Sequence, residues 1–288
     1  MRVLITGAAG QLGRALIKTA PVAAEIKAAG SELDICVPVA LHDAVRKFKP
    51  ALIVNAAAYT AVDQAESERD RAFAVNATGV ENLAHAARAA GARLIHVSTD
   101  FVFDGCKSSP YLPEDETRPL SVYGASKAEG ELRLRALEGE AAVIVRSGWL
   151  YAAAGQNFVN TMLRLMREKD SLGVIADQVG TPTWAQSLAE VLWKIAQDPK
   201  IAGTHHWSDA GVASWYDFAV AIQEEALTIG LLSRAIPIRP LATSEYPLPA
   251  QRPAYSVLDK HSMIAASGMT PVHWRENLRR MLAELCAA

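Results

Sequence analysis

Short uninterrupted apolar runs alternate with longer stretches whose apolar residues return every three or four positions, and this rhythm organises the first half of the chain. The runs at 3–6, 51–57, 93–98 and 142–146, each bounded by turn formers, predict strands buried on both faces. A helical period predicts a helix over 12–20, stopped by Pro21. A second helix is expected over 69–90, with Phe73, Asn76, Val80, Leu83 and Ala87 on one stripe and Gly91 as its stop. Repeated strand and helix predict an α/β fold, a Rossmann-type doubly wound parallel sheet. After residue 150 the texture changes to helices over 158–167, 184–196 and 215–227, separated by loops, and a proline-rich passage at 246–253. The expected division is a dinucleotide-binding part over 1–150, to which later segments return, and a smaller, mainly substrate-binding lobe over 151–288.

The first strand runs directly into Thr6-Gly7-Ala8-Ala9-Gly10-Gln11-Leu12-Gly13, which opens the first helix. That is the setting of a phosphate-binding turn. Gly7 permits a tight turn, Gly10 lets the backbone approach a pyrophosphate, and Gly13 lets the helix pack closely on the sheet. The amides of Gly10, Gln11 and Leu12 then face the phosphates. The glycine spacing is GxxGxxG rather than GxGxxG, and a plain loop is the alternative. The acid expected about 20 residues later is matched only by Glu32 and Asp34, while the tip of the second strand reads Ala28-Ala29-Gly30. A 2'-phosphate is not repelled there, and Arg14 is a cation able to attract it, so NADPH is the expected cofactor, with NADH as a second one. Asp34 and Ile35 are placed beside the adenosine; a solvated loop acid is an equal reading of Asp34.

The third strand ends in Asn55-Ala56-Ala57-Ala58-Tyr59-Thr60, small residues that let a cofactor pass the backbone at Ala57, Ala58 and Tyr59. Thr60 and Val62 line the sugar side or are ordinary loop and core. Tyr123 and Lys127, four residues apart, share one helix face. A phenol near its ordinary pKa of ~10 is a poor acid at neutral pH, and a neighbouring ammonium lowers that value. Tyr123 can then protonate a carbonyl oxygen while a hydride reaches its carbon. His96-Val97-Ser98-Thr99-Asp100 leaves a strand at its C-terminal end, where open α/β sheets bind ligands, and Thr99 is the third catalytic candidate. Strand alternation does not by itself choose Thr99 over Ser98. Asp100 falls on the substrate side, as does Trp149, which follows the strand at 142–146.

Composition narrows the partners. The 288 residues are half hydrophobic, enough for a substantial core, and the net charge of −2 without a basic run gives no footprint for nucleic acid or an anionic membrane. No segment reaches about 18 uninterrupted apolar residues, so no membrane partner is expected. Three widely spaced cysteines fit free thiols, and a cytoplasmic location is expected. His205 and His206 are adjacent on a predicted strand and point to opposite faces, which is no metal-ligand pattern. No GxSxG nucleophile elbow is present.

With these residues in hand the chain resembles the extended short-chain dehydrogenase/reductases, and among them the dTDP-4-dehydrorhamnose reductase family. The resemblance rests on GAAGQLG at 7–13, NAAAYTAVDQAE at 55–66, STDFVFDG at 98–105, YGASK at 123–127, RSGWLY at 146–151, NF at 157–158, DQVGTPT at 177–183 and RP at 252–253. It implies reduction of the 4-keto group of a dTDP-sugar with NAD(P)H, with Tyr123 as proton donor, Lys127 lowering its pKa and holding the nicotinamide ribose, and Thr99 tuning the hydrogen bonding. Trp149 then places substrate and nicotinamide. The segment 178–183 and Arg252 contact the nucleotide diphosphate. Related dehydratases carry an acid after the Thr-Asp pair; Phe101 stands here, which favours reduction over elimination. Some members are homodimers bridged by magnesium through glutamates, but the matching positions are Ala15 and Gln186, with only Glu284 retained, which argues against that metal. Two other functions stay open: a non-catalytic NADP-binding regulatory subunit, and a sugar-nucleotide epimerase that keeps its cofactor through the cycle.

Overall fold

The computed structural model describes residues 1–287. Strands β1 (Arg2–Thr6), β2 (Glu25–Ala29), β3 (Leu52–Asn55), β4 (Arg93–Thr99) and β5 (Val143–Ser147) join a later strand, Gly203–His206, in one sheet. The order is β2-β1-β3-β4-β5 and then Gly203–His206, and every pairing is parallel. The expected doubly wound parallel sheet is therefore present. Progress along the sheet reverses between β1 and β3, and the crevice outside their carboxyl ends is where such sheets bind ligands.

Alternation along each strand sorts the side chains into two layers. Val3, Ile5, Val54, Ile95 and Val145 face α1 (Gln11–Lys18) and a later helix, Ala185–Gln197, which packs on α1 and places the Trp193 indole N–H 3.0 Å from the Leu16 carbonyl. Leu4, Ile53, Leu94 and Ile144 face the opposite layer, built from α2 (Pro38–Phe48), the helical segment leading to Ala90, and Leu134. Edge strand β2 is half exposed and carries Glu25 and Lys27, which blunts an open edge. The helix α2 escaped the sequence reading because only Leu41 and Val45 of its residues are buried, too short a stripe to announce a period. A third cluster, away from the sheet, gathers Tyr151, Trp184, Phe218, Ile222 and Leu278. The helices contributing to it include Phe158–Glu168, Trp215–Thr228 and Trp274–Ala287.

The helix expected over 69–90 is broken by a wide turn. After a separate short helix, α3 (Val62–Ala65), it runs as α4 (Arg69–Phe73), a π-helical turn over Ala74–Thr78, and α5 (Gly79–Ala90). Such turns commonly mark functional positions. This one presents the backbone of Asn76 to α6 (Val122–Glu138), and Gly130 makes the approach feasible: a β carbon there would lie 2.1 Å from the Asn76 carbonyl oxygen.

Ala is favoured over Gly inside a helix by about 1 kcal/mol, so Gly130→Ala would stabilise an unhindered helix. Contact with a backbone carbonyl reverses the sign, and a net loss of about 1–3 kcal/mol is expected. Urea unfolding measures it, and a higher midpoint for the variant would contradict the close packing.

Candidate active site

The turn after β1 is shaped by two close approaches. Gly7 has φ 67°, and a β carbon on it would lie 2.6 Å from the Ala56 backbone; one on Gly13 would lie 2.3 Å from the Gly7 carbonyl oxygen. The turn is closed by the Gly10 amide donating to the Gly7 carbonyl at 2.9 Å, and α1 starts with no side chain capping its N-terminus. Its first amides are left for a phosphate. Gly7, Gly10, Gln11 and Leu12 line a cavity of about 960 Å³, together with Asp34, Ile35, Ala57 and Ala58. Gly13 stands behind the turn, where it sets the packing of α1. Asp34 accepts from the Cys36 amide at 2.8 Å, which shapes the loop beneath the cavity.

The tip of β2 does hold an acid, against the expectation from the linear order. The Glu32 carboxylate swings back and accepts from the Gly30 amide at 2.7 Å, and this bond holds its pKa below the ordinary glutamate value. Arg14 points its Nε to the Ala9 carbonyl at 2.9 Å. Tyr59 also departs from expectation. It does not line the cavity; its hydroxyl donates to Glu68 at 3.2 Å and its amide to Asn76 Oδ1 at 2.9 Å, so the ring is turned outward under Arg71. Thr60 and Val62 do line the cavity, as does Arg71, which nothing in its local sequence singled out.

The chemical half of the cavity is formed where β4 and β5 end against α6. Ser121 caps α6 by accepting from the Gly124 amide at 3.2 Å, which sets Tyr123 and Lys127 on one face. Thr99, Asp100, Tyr123, Lys127 and Trp149 all line the same cavity. Lys127 is buried, and its Nζ donates to the Val97 carbonyl at 2.7 Å. Burial pulls its pKa down to about 8, the Glu131 carboxylate opposing this. The expected lowering of Tyr123 by Lys127 is not what the geometry gives. Burial pushes the phenol up to about 12, the Thr99 hydroxyl offsets part of the rise, and Asp100 adds to it. Lys127 is engaged by the β4 backbone instead, and desolvation dominates the phenol.

Asp100 is itself buried, and burial raises its carboxyl to about 6, nearby hydroxyls, Thr99 among them, offsetting part of the rise. Thr99 Oγ1 donates to Asp100 Oδ1 at 3.1 Å, while Asp100 Oδ2 and Ser147 Oγ are buried without a partner. Unpartnered polar atoms on a cavity wall are poised to meet a polar ligand. Trp149 closes the wall with φ 52°, unusual for a large side chain, and stacks on Trp215 with ring centroids 3.5 Å apart and planes within 1°.

Two sequence-derived contacts lie elsewhere. Arg252 does not line the cavity; its two terminal nitrogens donate to Asp63 at 3.0 and 2.7 Å, the bidentate geometry expected for a phosphate having been taken by a carboxylate. The 178–183 segment is packed inward, with Gln178 donating to Thr243 at 3.1 Å and Thr181 to the Gly211 carbonyl at 2.9 Å. Conversely, Asn76 was visible only as part of a helical stripe. It is buried, and its Nδ2 donates to the Tyr59 carbonyl and to Ser126, each at 3.0 Å, tying the loop after β3 to α6. A polar residue in the middle of an apolar stripe was the available signal. Asn157 donates to Gln11 at 2.9 Å and so links the third cluster's first helix to the glycine turn.

The three positions matched to the magnesium-bridging glutamates carry no free carboxylate pair. Ala15 is core, Gln186 donates to Glu190 at 3.0 Å, and Glu284 is paired with Lys18. Among the described residues no group of three or more His, Cys, Asp or Glu side chains converges on a metal-sized site. No helix among them is long and apolar enough to cross a membrane. A dinucleotide does fit: the cavity runs along Gly7, Gly10, Gln11 and Leu12, and the start of α1 that borders it carries no side-chain cap.

A doubly wound sheet with a glycine turn and a Thr-Tyr-Lys cluster on one cavity defines the short-chain dehydrogenase/reductase class. The family described as RmlD substrate binding domain matches residues 1–287. The chain belongs to that family. It is 43% identical to the dTDP-4-dehydrorhamnose reductase of Aggregatibacter actinomycetemcomitans, over 98% of each chain. Among solved structures, a dTDP-4-dehydrorhamnose reductase from Clostridium acetobutylicum superposes with a TM-score of 0.91 at 40% identity, covering 99% of this chain and 100% of that one. The Bacillus anthracis reductase, solved in complex with NADP, gives 0.91 at 36% identity over 98% and 99% of the two chains.

The raised carboxyl of Asp100 fixes the sign of a pH effect. The folded protein holds that proton more tightly than the unfolded chain, so stability falls as pH rises from 3.8 to about 6. The cost at neutral pH is on the order of 3 kcal/mol. Asp100→Asn should therefore gain stability relative to the parent between pH 4 and pH 7, read from urea unfolding at both. An unchanged difference would mean that the carboxyl is not desolvated.

Proposed function

We propose that the protein reduces the 4-keto group of dTDP-4-dehydro-L-rhamnose to give dTDP-L-rhamnose, using NADPH and also NADH. The observation that carries the assignment is one continuous cavity lined both by the glycine turn and by Thr99, Asp100, Tyr123 and Lys127. NAD(P)H, when bound, supplies the hydride. The amides of Gln11 and Leu12 would hold its pyrophosphate, Gly10 lying against it with its own amide taken by the Gly7 carbonyl, and Asp34 and Ile35 would meet its adenosine. Arg14 and Glu32 near the tip of β2 carry opposite charges, which suits acceptance of both cofactors.

Tyr123 keeps its proton at neutral pH, because its pKa lies at about 12. A donor for this reaction must hold the proton until negative charge gathers on the carbonyl oxygen, and an alkoxide is a stronger base than even this phenolate. Thr99, whose single proton rests on Asp100 Oδ1 in the free protein, would turn that proton onto the same oxygen and so orient it. Lys127, anchored on the Val97 carbonyl, has N–H groups left for the nicotinamide ribose. The stacked Trp149 and Trp215 wall off water beside the sugar. Phe101 meets the Tyr123 ring edge-on at 5.6 Å and offers no base to drive elimination, which supports reduction alone. The lobe over 151–288 is assigned mainly to substrate, with 185–206 belonging to the sheet layer. A homodimer of this chain would be built without a metal bridge, and the thiols suit the cytoplasm.

The test is oxidation of NADPH and of NADH, followed separately, with the keto-sugar nucleotide generated in situ and the product identified by NMR. Turnover should require the sugar, release oxidised cofactor stoichiometrically, and fall by about 10²–10⁴ in Tyr123→Phe. Undiminished turnover in the variant would reject the mechanism. A stereoisomer formed with no net cofactor oxidation would make it an epimerase, and tight NADP binding without turnover a regulatory subunit.

A further inference from the structure

The carboxyl ends of β1, β3 and β4 are joined by a buried polar chain that the reduction chemistry above leaves unused. Thr6 Oγ1 donates to Asn55 Oδ1 at 2.7 Å, and the Ala57 amide donates to the same oxygen at 3.1 Å. Two donors on one oxygen fix which way the Asn55 amide faces. Its Nδ2 is thereby directed at His96 Nδ1, 3.0 Å away. An amide nitrogen only donates, so His96 Nδ1 must accept and carry no proton. His96 is fully buried, and burial together with the nearby Lys127 charge holds its pKa well below the ordinary histidine value. The ring is therefore neutral, and a neutral ring without a proton on Nδ1 carries it on Nε2. Nε2 lies 3.4 Å from Lys127 Nζ.

We propose that His96 is a positioning residue for Lys127: the Thr6–Asn55–His96 chain fixes the imidazole tautomer so that an N–H, not a lone pair, faces the lysine head group. This deepens the assignment of Tyr123 and Lys127 as the reductase centre and rests on it. An ammonium has three donors and no acceptor, so an opposing N–H disfavours it, whereas a neutral amine accepts that N–H. The contact has two consequences. It biases Lys127 toward the amine, and it leaves the Val97 carbonyl as the group that aims the charged form, at 2.7 Å.

The other groups around Lys127 act in known directions. On α6 itself, Glu131 one turn on favours the ammonium, but that carboxylate is held in two bonds from Arg146 on β5, at 2.9 and 2.7 Å, and one from Arg135 at 2.8 Å. Tyr123, one turn back, is protonated and neutral, and Asp100 lies at the end of β4. The favourable carboxylate is thus largely claimed by arginines, while the imidazole N–H is not claimed by anything else. A lysine so placed changes charge near neutral pH, within reach of turnover conditions.

The experiment is done on the full chain. With ¹⁵N-labelled histidine, the His96 ring should show an unprotonated Nδ1 and a protonated Nε2 from pH 6 to pH 9; a protonated Nδ1 overturns the proposal. With ¹³Cε-labelled lysine, Lys127 is assigned by its loss in Lys127→Arg, and its titration is compared in the parent and in His96→Asn. Asparagine keeps an acceptor for Asn55 Nδ2 and removes the edge that reaches Lys127. The midpoint should rise by about one pH unit, a tenfold change in the charged-to-neutral ratio. The limb of the kcat/KM profile for NADPH should move with it. A merely structural histidine would lower activity or the unfolding midpoint without moving either titration, and coincident midpoints would overturn the proposal. The NMR titration is read without substrate, so it stands whether or not the reductase assignment does. Turnover with unmoved midpoints rejects this inference alone; moved midpoints without turnover reject the assignment alone.

Discussion

Where the sheet reverses direction, the loop after β1 lies directly on the loop after β3. A β carbon on Gly7 would sit 2.6 Å from the Ala56 backbone, so two segments about fifty residues apart in sequence meet with no side chain between them. This approach governs the rest of the site. It opens the start of α1 toward the crevice, it brings Thr6 within 2.7 Å of Asn55, and through Asn55 it ties β1 and β3 to His96 on β4. A dinucleotide cradle and a buried polar chain thus spring from one contact. Any side chain at Gly7 would force the two loops apart and disturb both.

The elements with a strong period were legible. β1, β3, β4 and β5 are central strands with apolar residues on both faces, and the helices at 158–168, 185–197 and 215–228 carry buried stripes. Gly7, Thr99, Tyr123, Lys127 and Trp149 were legible as candidates because each sits at a strand end or at a helical spacing, and such features are local. What was hidden depends on distance or on dielectric. Nothing near Arg252 in sequence reveals Asp63, 189 residues away. The turn that folds Glu32 back onto Gly30 leaves no trace in a count of positions from the first glycine. The direction of the Tyr123 shift required knowing that the folded chain desolvates the phenol, whereas a spacing of four residues speaks only of a neighbouring charge.

A buried charge is retained only if it is matched, and this protein matches its interior charges in layers along α6. Lys127 is held by a backbone carbonyl; one turn on, Glu131 takes a bidentate grip from Arg146 with both partners almost fully inaccessible. Breaking such a pair from one side leaves a stranded charge, which costs far more than the pair contributes intact. The ion pair therefore does more to fix the rotation of α6 than to stabilise it. Asn76 reinforces the same register from the other side through Ser126, and Gly130 lets the π turn come close enough to do so. The face that presents Tyr123 and Lys127 is thus set by contacts lying behind it.

The link between the sheet and the third cluster is polar and small by comparison. Asn157 reaches Gln11 at 2.9 Å and also the Ala152 carbonyl at 2.8 Å, so one amide touches both the glycine turn and the segment leading into the helix Phe158–Glu168. Trp149 lies at the entrance to that segment, in a left-handed backbone conformation held by its stack on Trp215. A ligand pressing on Trp149 therefore presses on two helices of the third cluster, and one pressing on Gln11 presses on the same helix by another route. Cofactor and sugar would meet a wall already coupled through Asn157.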